Sequence, residues 1–196
     1  MNDSQRTENF NIIRAQLESQ GYHAEKCTIS ILKANIMAFV TAGPVAALCC
    51  VVFFLAKQSG EVKFSILGSL LLYAIMVASV FVHEFLHGLT WNFYCKNGWK
   101  SIHLGVMWKK LTPYCCCMES LSVRQYILGG LMPFLVLGLG MFVVSLITNS
   151  IFWLVLSVFN IIAAGGDTTI ALMLLKHKNA FIIDHPTECG FWAFSK

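Results

Sequence analysis

Two histidines, His83 and His87, stand four residues apart with Glu84 beside the first, in the stretch "FVHEFLHGLTW". In an α-helix residues i and i+4 share a face, so both imidazoles can address one divalent ion. The neighbouring carboxylate is then placed to handle a proton. This is the mechanical content of H-E-x-x-H, in which a metal polarises a peptide carbonyl and the glutamate serves as general base. Zn2+ is the expected ion. Two imidazoles leave its coordination short, and a third protein ligand with one position open to water would mark a catalytic site.

The third ligand must come from another element, and composition says which elements exist. Hydrophobic residues make up 57% of the chain and charged residues 12%, about half the charged share of a soluble domain. The expected fold class is an all-α integral membrane protein. Apolar runs near 34–56, 65–91, 126–147 and 151–175 each reach the roughly 20 residues that a spanning helix needs. Between the second and third, Ile102, Leu104 and Val106 alternate with His103 and Gly105, and a further apolar stretch follows Pro113. That pattern predicts a short membrane-associated β-hairpin.

Ionisable residues inside spans are expensive and usually face a partner or cavity. The four runs hold only two acids, Glu84 and Asp167. Asp167 is therefore the expected third ligand. Its depth agrees: it precedes Lys176 by nine residues, as His87 precedes Lys96, so each lies about 13 Å from its lysine at helical rise. Ala163, Ala164, Gly165 and Gly166 lead into the acid; small residues let helices approach and the glycines permit a kink. Asn160, two turns earlier, is the candidate for holding the aspartate or a substrate backbone.

Twelve of the fourteen Lys and Arg residues flank the runs on one side, leaving Lys57 and Lys63 on the other. Positive residues favour the cytoplasm, which predicts a multi-pass cell-membrane protein with both termini inside. Residues 1–30 are expected to form a cytoplasmic amphipathic helix, with Phe10, Ile13 and Leu17 at helical spacing for packing, ahead of a membrane-embedded domain over 31–196. The N-terminus does not resemble a signal peptide. The positives form no basic stripe, so no nucleic-acid partner is expected. The eight cysteines are expected as free thiols, the triplet Cys115-Cys116-Cys117 lacking paired metal-ligand spacing. His185 and Glu188 are expected to cap a turn, and His103 to be an exposed strand residue.

The motifs "HEFLHGL", "LTPY", "GGLMP", "AAGGD" and "DHPTECG" make the chain similar to small bacterial membrane proteins of the zincin peptidase kind. The order of motif span, loop and helical hairpin also resembles the three-helix core of site-2 proteases. The likeness extends over roughly residues 64 to 190. It implies a zinc metallopeptidase with His83, His87 and Asp167 as ligands, Glu84 as base, and a membrane-protein or peptide substrate at the bilayer. Site-2 proteases place Gly after the aspartate and Pro between it and the upstream Asn. Here glycines precede Asp167, Thr168 follows it, and no Pro separates it from Asn160. A transporter or proton pathway is the competing class, as is a metal-bound but inactive scaffold. A conduit calls for polar groups at several depths, whereas these cluster at one level.

Overall fold

Phe10 and Leu17 lie seven residues apart on one face of helix α1 (Asp3–Ser19) and are buried against Ile183 and Phe194 near the other end of the chain. The computed structural model describes residues 3–56, 65–107 and 112–196. The loop "KQSGEVK" with Lys57 and Lys63, and the Lys109-Lys110 pair, lie outside the described residues. After α1 come strand β1 (His23–Thr28), helix α2 (Ile31–Ala56) and helix α3 (Ile66–Asn92). Ser65 starts α3 by accepting the Gly68 N–H, which satisfies one donor that the first helical turn leaves open.

Strands β2 (Ile102–Met107) and β3 (Thr112–Cys117) pair antiparallel, Leu104 opposite Cys115. They rest on α3, where a Cβ at Gly88 would lie 2.7 Å from Ile102. Strand β4 (Leu121–Ser122) leads into helix α4 (Val123–Pro133) through a capping box of Ser122 and Gln125. Phe134–Gly140 then continues in π-helical form and helix α5 (Met141–Thr148) follows. Asn149, left-handed at φ 49, turns the chain into helix α6 (Ile151–Ala163), and helix α7 (Gly165–Leu174) follows a break at Ala164. Strands β5 (Phe181–Asp184) and β6 (Gly190–Ser195) end the chain.

Among the described residues three helices are long and apolar enough to cross a membrane: Leu32–Ala56, Ile66–Asn92 and Val123–Thr148. Their outer faces carry large exposed apolar side chains, among them Phe39, Phe54, Leu70 and Phe81. The expected fourth span over 151–175 is a bent pair, α6 and α7, at 43°, with the break beside the glycines that permit a kink. The bend has a packing cause. Gly165 sits so close to α2 that a Cβ would fall 2.6 Å from the Ala38 carbonyl oxygen, and only glycine permits that approach.

The all-α expectation is also corrected. A four-stranded antiparallel sheet in the order β1-β6-β5-β4 forms a layer between α1 and the helix ends. One face meets Phe10 and Leu17; Ile182, Phe191 and Ala193 on the other face pack with Trp91, Tyr126 and Leu174. "HAEKCT" in β1 has no apolar alternation, and its partner "GFWAFS" lies at the far end of the chain. Local periodicity cannot signal such a pairing.

Candidate metal centre

Helix α3 delivers its two histidines as their spacing requires. The His83 and His87 rings lie 4.8 Å apart, and both residues are buried. Helix α7 brings Asp167 to them: its Oδ2 is 3.1 Å from His83 Nε2 and its Oδ1 is 3.5 Å from His87 Nε2. One donor atom from each of the three lies within 4.8 Å of the other two. A carboxylate in the first turn of a helix is also favoured by the helix dipole.

The donor set fits a zinc-type ion. Zn–N and Zn–O bonds near 2.0–2.1 Å at tetrahedral angles set neighbouring donors about 3.3 Å apart, and the two observed separations bracket that value. Both histidines present Nε2. On His87 this is enforced from behind, because Nδ1 lies 2.8 Å from the Gly129 carbonyl oxygen. A carbonyl only accepts, so Nδ1 carries the proton and Nε2 keeps its lone pair for a metal.

The freedom of that carbonyl has a covalent origin. In a regular helix the Gly129 C=O would accept the N–H of residue 133, and residue 133 is Pro, which has none. Gly129 also lets α4 approach α3: a Cβ there would fall 2.1 Å from Trp91 Nε1. Trp91 stacks on His87 with rings at 14° and donates its N–H to the Tyr126 carbonyl. Asp167 is steadied through its neighbour, Thr168, whose hydroxyl lies 2.7 Å from that of Thr41 on α2. The Thr41 hydroxyl also approaches the Gly165 carbonyl at 3.3 Å.

Glu84 is half-buried. Its carboxylate meets the backbone N–H of Cys115 on β3 and lies within electrostatic reach of His83, His87 and Asp167. Beyond the end of α3, Glu119 gathers the turn after the motif helix, accepting from the backbone N–H groups of Lys96 and Asn97 and from the Ser101 hydroxyl. Its partial burial acts to raise its pKa. The bonds from Ser101, Lys96 and Asn97 outweigh that and hold it below the usual carboxylate range.

A protein-family comparison matches residues 76–182 to the family described as "Putative zincin peptidase". The chain belongs to that family. The matched stretch includes His83, Glu84, His87, Gly129, Pro133 and Asp167. No curated protein and no solved structure matches the chain. Membership makes this zincin-family chain a metallopeptidase by class, and zinc the metal that class implies.

The other sequence candidates fall elsewhere in this family member. Asn160 is buried; its amide donates to the Leu156 carbonyl and is not hydrogen-bonded to Asp167 among the described residues. Its Oδ1 has no partner there. His185 accepts the Thr187 and Glu188 N–H groups at Nδ1, closing a turn. His103 is half-buried on β2, its ring 6.1 Å from that of Tyr114. All eight cysteines are free thiols; burial, with Asp184 nearby, pushes the Cys116 thiol up to about 12. Sequence reasoning did not single out Thr41, and it quoted Gly129 and Pro133 only within "GGLMP", without a role for either. The spacing of Gly129 and Pro133, at i and i+4, was the available signal, since it marks a carbonyl that its own helix leaves open.

Proposed function

We propose that the chain is a zinc-dependent intramembrane metallopeptidase acting on peptide bonds of membrane-protein or peptide substrates. The observation that carries this reading is the meeting of His83, His87 and Asp167, from two different helices, within 4.8 Å. A Zn2+ ion held by these three supplies a Lewis acid for the substrate carbonyl and acidifies a water toward neutral pH.

Glu84 is assigned the proton. Its carboxylate accepts one from the attacking water and returns it to the nitrogen of the departing amine. His87 keeps its Nδ1 proton on the Gly129 carbonyl, so its ring does not rotate during the reaction. Asn160, whose buried Oδ1 has no hydrogen-bond partner among the described residues, is assigned to substrate as an acceptor for an N–H of an extended peptide. Asp167 is 28% exposed at its side chain while the histidines are buried, so access comes from the carboxylate's side. The apolar outer faces of the long helices and the likeness of motif order to site-2 proteases support the intramembrane placement. The distribution of Lys and Arg supports cytoplasmic termini.

The test is metal content by mass spectrometry on detergent-purified protein, beside cleavage of a panel of tagged single-span peptides in liposomes. Wild type and Glu84→Gln should each hold about one zinc at this site, and Asp167→Ala none. Cleavage should vanish in both variants. Full cleavage by Glu84→Gln, or full metal retention by Asp167→Ala, would overturn the reading. Wild type that keeps the metal and cleaves nothing would point to an inactive scaffold.

A further inference from the structure

A second set of donors lies at the edge of the four-stranded sheet, outside the machinery above. Glu25 and Cys27 are two residues apart on β1, so their side chains leave the same face of the strand. His177 reaches them from the turn beyond α7, 150 positions later in the chain than Cys27. Cys27 Sγ is 3.5 Å from His177 Nε2, and Glu25 Oε2 is 3.8 Å from His177 Nδ1. One donor atom from each residue lies within 4.8 Å of the other two.

The imidazole is held for this role. Its backbone N–H bonds the Leu174 carbonyl and its carbonyl accepts the Ala180 N–H, while the ring stands edge-on to Phe191 at 83°. We infer that Glu25, Cys27 and His177 bind a divalent ion of borderline softness, of which Zn2+ is the prime case. Thiolate, imidazole and carboxylate are the three side-chain ligand types that zinc takes. Bonds of about 2.3 Å to sulfur and 2.0–2.1 Å to nitrogen at tetrahedral angles place S and N about 3.5 Å apart, which is the separation observed. Cys27 meets Nε2 and Glu25 meets Nδ1; a single ion would take one ring nitrogen, and the 4.8 Å spread of the three donors lets the other side chain swing onto it.

The site's position gives the ion a structural consequence. It ties β1, whose strand belongs to the N-terminal segment, to the turn that fixes the end of α7. The opposite end of α7 carries Asp167. Two of the three donors, Glu25 and Cys27, lie outside the family-matched stretch, whereas His177 lies within it.

Co2+ titration of the detergent-purified full chain tests the site directly, because thiolate bound to cobalt absorbs by charge transfer in the near ultraviolet. The donors at His83, His87 and Asp167 include no sulfur and cannot give that band. Wild type should develop the band and take up about two ions per chain, and Cys27→Ser should lose the band and hold about one. His177→Ala should also lose the band. Glu25→Gln alters a side chain that is 67% exposed, so the fold is kept; it should weaken cobalt binding about tenfold. Absence of the band in wild type, or a band of undiminished strength in Cys27→Ser, overturns the inference. Loss of metal from Asp167→Ala with the thiolate band intact would show that the two sites stand or fall separately.

Discussion

The two donor clusters of this chain are built on opposite supports. His83, His87 and Asp167 sit on helices, with the histidines buried and one of them fixed by a backbone carbonyl. Glu25, Cys27 and His177 sit on an edge strand and a turn, with an exposed carboxylate and, among the described residues, no backbone acceptor for the ring. The first is pre-arranged by the scaffold before any ion arrives. The second depends on an ion to hold its third member. Preorganisation of this kind separates a site tuned for chemistry from one suited to joining elements.

Several variants would break or sharpen that contrast, and the largest effect belongs to Asp167→Ala. It should abolish metal binding at the helical cluster and reduce peptide cleavage to background, read by mass spectrometry and a cleavage assay. Glu84→Gln should keep the metal and lower the cleavage rate by about 10²- to 10⁴-fold, the usual range for a removed general base. Pro133→Ala should act more mildly through competition. It restores an N–H that can take the Gly129 carbonyl back into its helix, so zinc affinity should fall about tenfold or somewhat more without loss of helical content. Gly129→Ala probes the same contact sterically, and overpacking against Trp91 should cost about 1–3 kcal/mol in a thermal or denaturant unfolding measurement. The smallest effect concerns Glu119, whose folded pKa is depressed. Its contribution to stability is present above the ordinary glutamate value of about 4.3 and is lost as pH falls through the lower folded value. Glu119→Gln should therefore melt below wild type at neutral pH, with the gap closing in acid.

What could be read from sequence follows the same division. The helical spacing of His83 and His87 is local, and Asp167 stood out because the apolar runs offered only one other acid. The depth agreement between them is met by contacts of 3.1 and 3.5 Å. The bend at Ala164 was foreshadowed by Gly165 and Gly166, though not its cause, the approach of Ala38 from another helix. The sheet stayed hidden because β1 and β6 pair across nearly the whole chain and β5 has four residues. The Glu25–Cys27–His177 cluster was illegible for the same reason. Two of its donors are close in sequence, but nothing in "HAEKCT" announces a histidine 150 positions away.

The contact of Gly165 and Thr168 with α2 bears on how the protein is made. Ala38 and Thr41, which receive α7, lie ahead of the family-matched stretch of 76–182, so the matched segment alone lacks the seat on which its aspartate rests. Synthesis proceeds from the N-terminus, and α7 emerges after α2, α3, α4, α5 and α6. Until it does, His83 and His87 are already in place and wait without their carboxylate. A ribosome stalled before residue 167 leaves a nascent chain with two of the three donors of the proposed centre, so the set is complete only once α7 has emerged.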